Sequence, residues 1–169
     1  SGVKGDLRAQ TGRPRERYPL WLGSLEPRGE DAGYLTAQAL IEKARQLPGL
    51  RAADGKLHFL AVAGDRSTPA SRARNEGMRR AVREAKDVLF TQEVYGDWRR
   101  ERAQEQAKVL YKRYPGARLV WSGNDQMAFG AIEAWRQQGG TPGKDALFSG
   151  INTSQEALDA RRRGELSAL

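Results

Sequence analysis

Leu57-His58-Phe59-Leu60-Ala61-Val62-Ala63-Gly64-Asp65-Arg66-Ser67-Thr68-Pro69 is the stretch that decides the fold. Seven residues with a near-continuous apolar run read as a strand buried on both faces, ended by Gly64-Asp65. Thr68-Pro69 then opens a helix, because proline at the first helical position gives up an N–H that has no intrahelical partner anyway. The expected inner face of that helix is Ala70, Ala73, Gly77, Met78, Ala81 and Val82.

The same pairing recurs three times downstream. Val88 to Val94 reads as a strand, and Asp97 as the cap of a helix that runs to Tyr114-Pro115-Gly116. Leu119-Val120-Trp121 leads through Ser122-Gly123-Asn124-Asp125 into a helix from Gln126 to Gln138. Ala146 to Ile151 is followed by a helix capped by Ser154 and ended by Gly164. Upstream, Leu20-Trp21-Leu22-Gly23 is a short apolar run. Asp31 stands where it can cap a helix with Tyr34, Leu35, Ala37, Leu40, Ile41 and Ala44 at helical spacing. Strands alternating with helices require right-handed crossovers and a parallel sheet covered on both faces. The expected fold is α/β, a doubly wound parallel sheet of about five strands, flavodoxin-like.

Composition narrows the function classes. The chain has 169 residues, with 29 Lys plus Arg against 21 Asp plus Glu, a formal charge of +8. There is no cysteine and a single histidine, His58, which removes disulfides, thiolate chemistry and His- or Cys-rich zinc sites. No apolar run approaches the roughly 18 residues of a membrane-spanning helix. Arginine supplies 22 of the positive charges, six of them (Arg66, Arg72, Arg74, Arg79, Arg80, Arg83) against Glu76 alone between 66 and 83. We read this run as a solvated face, not as a nucleic-acid footprint. Residues 1–18 read as an irregular basic arm or as the remnant of another lobe or crossover, and 19–169 as one α/β ligand-binding lobe. No apolar segment of signal-peptide type opens the sequence.

In an open parallel sheet, ligands bind outside the carboxyl ends of the strands. That directs attention to Gly64 to Thr68, Tyr95 to Trp98, Ser122 to Asp125 and Gly150 to Ser154. Dinucleotide fingerprints, phosphate loops and nucleophile elbows are absent. Asp65, Asp97 and Asp125 can be read as a metal or phosphoryl site, or as helix caps, the reading their positions favour. The remaining inventory suits a neutral, hydroxyl-rich ligand. Asn124 and Asn152 both donate and accept, Trp98 offers a flat apolar face, and Arg74 a two-pronged donor. Asp65, Ser67, Asp97 and Asp125 form a second rank.

These residues resemble the type I periplasmic sugar-binding proteins, of the ribose-binding and ABC sugar-binding kind, and the ligand-binding region of lac-repressor-type regulators. The motifs are Gly64-Asp65-Arg66-Ser67-Thr68 with Arg74-x-x-Gly77, Asp97-Trp98, Asn124-Asp125-Gln126-Met127-Ala128-Phe129-Gly130-Ala131, Gly150-Ile151-Asn152 and Gly164-Glu165-Leu166. Gly29 to Tyr34 loosely resembles the family's hinge stretch. The resemblance implies ligand-contacting roles for Arg74, Trp98, Asn124 and Asn152, with Asp125 capping its helix. Asn152 falls where many members carry an aspartate. It further implies a single lobe of a two-lobed receptor, truncated at both ends, with no catalysis and no cofactor. Its partners would be a sugar-like ligand, the missing amino-terminal lobe and a membrane permease or sensor. Its location would be the periplasm. The competing expectations are the effector lobe of a transcription regulator and a flavodoxin-like phosphoreceiver or enzyme.

Overall fold

The computed structural model describes residues 29–151 and 154–168. The expected basic arm (1–18), the apolar run Leu20-Trp21-Leu22 and the candidate Asn152 lie outside the described residues. Nine elements alternate: α1 (Gly29–Arg45), β1 (Leu57–Ala63), α2 (Pro69–Glu84), β2 (Val88–Tyr95), α3 (Arg100–Arg113), β3 (Leu119–Ser122), α4 (Asp125–Gln137), β4 (Leu147–Ser149) and α5 (Gln155–Arg162). The sheet order is β2-β1-β3-β4, and every pairing is parallel. Beyond β4, a parallel bridge joins Ser149 to Ala168, with Gly150 N–H donating to the Ala168 carbonyl at 2.9 Å. The described sheet therefore has four strands plus this bridge, against about five expected.

Two apolar layers hold the sheet. Leu60, Val62, Val120 and Phe148 face α3, α4 and α5, whereas Phe59, Ala61, Trp121 and Leu147 face α1 and α2. The alternation along β1, β3 and β4 sends successive side chains to opposite layers, which is why their apolar runs are continuous, whereas β2 at the edge is only partly buried. Trp121 is fully buried, and its indole N–H donates to Thr36 Oγ1 at 2.9 Å. That bond explains why Thr36 faces the core while Leu35, an expected core position, is 52% exposed.

The helix pair α1/α2 crosses at backbone contact. A Cβ on Gly33 would lie 2.0 Å from the Arg74 carbonyl oxygen, and one on Gly77 would lie 1.9 Å from that of Glu30. The two glycines are therefore a reciprocal pair, and the approach they permit seats the Arg74 segment against α1. Gly29 to Tyr34, which resembled a hinge stretch, forms the opening turns of α1.

Three local readings are corrected. Asp31 lies in the first turn of α1, two residues inside its start at Gly29. On α2, Ala70 is exposed and Ala73 half-buried, while Ser71 is buried with Gly77, Met78, Ala81 and Val82. Ser71 earns the inner position by bonding the Asp65 carbonyl at 2.6 Å. Asp97 does not cap α3: the capping residue is Arg99, without a side-chain bond. Thr68 and Ser154 do cap their helices, accepting from Ser71 N and Ala157 N.

Most of the arginine run between 66 and 83 is engaged within the molecule. Arg79 pairs with Glu93, Arg80 with Glu30 and Glu84, and Arg83 with Glu76, while Arg66 lies 4.3 Å over the Tyr95 ring. At the amino end of the sheet, Asp87 accepts from Arg45 Nε at 3.1 Å, Arg45 Nη2 at 2.6 Å and Arg51 Nη2 at 3.0 Å. His58 sits at the same end, bonded to Asp54 at 2.8 Å.

Two outcomes are expected. Gly77→Ala forces α1 and α2 apart and should cost about 3 kcal/mol or more, read as a lowered urea midpoint. A change within about 0.5 kcal/mol would contradict the backbone crossing. The Asp87 carboxyl is held well below the usual range, first by Arg45 and then by Arg51. A depressed folded pKa contributes stability above the unfolded value of about 4, lost as pH falls through the folded value. Asp87→Asn should therefore lower the thermal midpoint at pH 7 by about 3 °C, for roughly 1 kcal/mol in a partly exposed bidentate pair. The gap to the parent chain should close only below about pH 4.

Candidate functional site

The carboxyl ends of the strands are stitched to one another past the last strand residues. Gly96 N donates to Ala63 O at 2.8 Å, Asp97 N to Gly64 O at 2.8 Å and Gly123 N to Val62 O at 2.9 Å. These bonds bring the segments after β1, β2 and β3 side by side, as the parallel topology requires. Trp98, Asp65, Arg74 and Asn124 meet there.

Trp98 is the centre. Its indole lies against Gly64, where an added Cβ would fall 2.2 Å from Cζ2 and 2.3 Å from Cε2. Glycine at 64 is thus required for close approach rather than for conformation. The indole N–H donates to Asp65 Oδ2 at 2.9 Å, and the Trp98 carbonyl accepts from Asn124 Nδ2 at 3.3 Å. The Arg74 guanidinium carbon stands 5.4 Å from the ring centroid. Asp97 and Trp98 both take positive φ, 53° and 63°, the left-handed region that side chains other than glycine rarely occupy. This consecutive pair explains why Asp97 cannot serve as the cap: the chain turns sharply before α3 begins. Asp97 is exposed, with its carboxylate 3.8 Å from Arg102.

Asp65 is bound on all sides. Its Oδ1 accepts from Ser67 N at 3.0 Å, Thr68 N at 2.8 Å and Thr68 Oγ1 at 2.9 Å. The Thr68 amide, then the Trp98 indole, pull its carboxyl down to about 2, so it is ionised throughout the physiological range. Ser67 contributes its amide to this turn and its own side chain is exposed.

Arg74 is half-buried. Its Nη1 donates to the Gly123 carbonyl at 2.6 Å, and its buried Nε has no hydrogen-bond partner. Burial pushes its pKa down. The Nε is itself covered, so an oxygen acceptor would meet only the part of this partly desolvated guanidinium that stays open. Asn124 caps α4, its Oδ1 accepting from Met127 N at 2.8 Å. The cap was assigned to Asp125 from sequence; the structure gives it to Asn124 and makes Asp125 the buried first residue of the helix. Asn124 still keeps one N–H and one lone pair for a ligand, since each end of its amide has a single partner.

The structure therefore gathers Arg74, Trp98, Asn124 and Asp65 on one rim, with Ser67 and Asp97 at its exposed margin. The metal or phosphoryl arrangement of Asp65, Asp97 and Asp125 is not assembled: no group of three such side chains among the described residues is placed to hold an ion. No helix among them is long and apolar enough to cross a membrane. The sequence reading missed that Asp65 serves Trp98. The available signal was that a half-buried indole N–H needs an acceptor.

A family model for the periplasmic binding protein domain matches residues 26–169. A curated galactofuranose-binding protein of Escherichia coli (strain K12) is 29% identical over 98 residues, covering 56% of this chain and 31% of that protein. A solved periplasmic sugar-binding protein from Pseudomonas fluorescens is 45% identical, with a TM-score of 0.77 over 89% of this chain and 47% of its own. The periplasmic binding component of the arabinose ABC transporter from Shewanella sp. ANA-3 shares the fold, with a TM-score of 0.73 at 23% identity over 82% of this chain and 44% of its own. The chain thus spans less than half the length of these relatives. Its fold is that of a type I lobe, and the chain belongs to the periplasmic binding protein domain family.

Proposed function

We propose that residues 29–168 act as one lobe of a two-lobed periplasmic receptor that captures a sugar or similar small polar molecule. The receptor serves an ABC importer or a membrane sensor and performs no catalysis. The observation that carries this reading is the rim itself: a braced indole beside a half-buried guanidinium and the Asn124 amide, each end of which has a single partner. An indole face covers the C–H side of a sugar ring, and Arg74 and Asn124 supply donors and an acceptor for its hydroxyls. The Pseudomonas relative named as a periplasmic sugar-binding protein and the Escherichia coli relative named for galactofuranose support the ligand class. Coverage of 47% of the Pseudomonas protein supports the single-lobe reading, with the second lobe closing over the rim about a hinge. Asn152, placed next to Gly150-Ile151 in sequence, is proposed as a further contact to a ligand hydroxyl.

The test is a calorimetric titration of the two-lobed receptor with a panel of pentoses and hexoses. Trp98→Ala should weaken the bound sugar by about 1–3 kcal/mol, roughly tenfold to a hundredfold. Asn124→Ser keeps a helix cap but removes the amide, and should weaken binding about tenfold with little change in stability. Unchanged affinity in both variants, or a panel in which no sugar binds, would overturn the reading.

A further inference from the structure

We infer that Asp65 is a positioning residue for ligand capture: its carboxylate sets the rotation of the Trp98 indole, so that the ring offers the ligand a face and no donor. The inference rests on the sugar-site reading of the rim for its purpose, but its geometry stands apart from that reading. The two carboxylate oxygens divide the work. Oδ1 takes all three donors of the turn into α2, from Ser67 N, Thr68 N and Thr68 Oγ1. Oδ2 takes the indole N–H of Trp98, at 2.9 Å. A carboxylate that merely started the helix would need no second oxygen on a residue 33 positions away.

The indole is held at further points, which makes the Oδ2 bond decisive for rotation rather than for place. Gly64 carries the ring against its backbone, and Asn124 Nδ2 holds the Trp98 carbonyl. The left-handed φ values at Asp97 and Trp98 aim the side chain back over β1, a conformation that persists only where the surroundings enforce it. With Nε1 bound to Asp65, the ring cannot turn its polar edge to a ligand hydroxyl. Hydroxyl recognition then falls to Arg74 and Asn124, and the indole selects for a flat C–H surface.

The division between Oδ1 and Oδ2 makes the inference separable by mutation. Asp65→Asn can keep an oxygen toward the three turn donors, but then presents its NH2 group to the indole N–H, donor against donor. Thr68→Ala removes the hydroxyl bond to Oδ1 and the cap of α2 while leaving Oδ2 on the indole. The readout is the near-ultraviolet circular dichroism of Trp98, defined as the difference between the parent chain and Trp98→Phe. Thermal midpoints and titrations with L-arabinose and D-galactose are measured alongside. Asp65→Asn should lose at least half of the Trp98 band and weaken any bound sugar about tenfold. Thr68→Ala should lower the midpoint yet keep the band. A Trp98 band intact in Asp65→Asn, or lost equally in Thr68→Ala, would overturn the inference. So would a lost band with unchanged sugar affinity. If the parent chain in its two-lobed receptor binds neither sugar nor any other in the panel, the sugar reading falls by itself, and the bands alone decide whether Asp65 orients Trp98.

Discussion

The Asp65 carboxylate gathers four hydrogen bonds from three places: the turn after β1, the cap of α2 and the indole after β2. It does so as an anion, since those donors hold its pKa at about 2. The rest of the rim follows from it. With Thr68 fixed, α2 starts where Arg74, less than two turns on, reaches the Gly123 carbonyl. With Trp98 fixed, Asn124 finds the Trp98 carbonyl and caps α4 at once. One side chain thereby couples the loops of three neighbouring strands.

Beneath the rim, the helix crossings provide rigidity. Gly33 and Gly77 let α1 and α2 touch backbone to backbone, and Gly130 does the same for α4 against the Arg100 carbonyl of α3. An arginine proposed to meet ligand would be poorly placed on a helix that could slide. The reciprocal glycine contact sits on Arg74's own carbonyl and removes that freedom. The carboxyl-end rim carries the polar, partly unsatisfied groups, whereas the amino-end cluster of Asp87, Arg45 and Arg51 is mutually satisfied. The asymmetry suits a sheet that binds at one end and is braced at the other.

Much of this was legible in the sequence. The apolar runs of β1, β3 and β4 mark strands buried on both faces, which leave no room for polar alternation, whereas β2, at the sheet edge and only partly buried, keeps Thr91, Gln92 and Glu93 between its apolar ends. Thr68-Pro69 and Ser154 announced their helices through side-chain chemistry that acts locally. What stayed hidden depended on contacts between distant segments or on a one-residue phase. Asn124 and Asp125 are both good capping residues, and no local rule tells which will be the cap; the Trp98 carbonyl, 26 residues away, helps place Asn124 there. The Asp97 cap failed because two consecutive left-handed residues displace the start of α3 to Arg100. Ser71 displaced Ala70 and Ala73 from the inner face of α2 because the Asp65 carbonyl waits for its hydroxyl. The partnership of Asp65 with Trp98, 33 residues apart, has no signature in spacing.

The central claim is that the carboxyl-end rim, and no other surface of this lobe, receives the ligand. Amide and indole chemical-shift mapping by NMR, with sugar added stepwise to the isotope-labelled receptor, tests it most directly. The account predicts the largest shifts at Gly64 to Ser67, the Trp98 indole N–H and Gly123-Asn124, with His58 and Asp87 unmoved. Shifts centred instead on the amino end of the sheet, around His58 and Asp87, would contradict it.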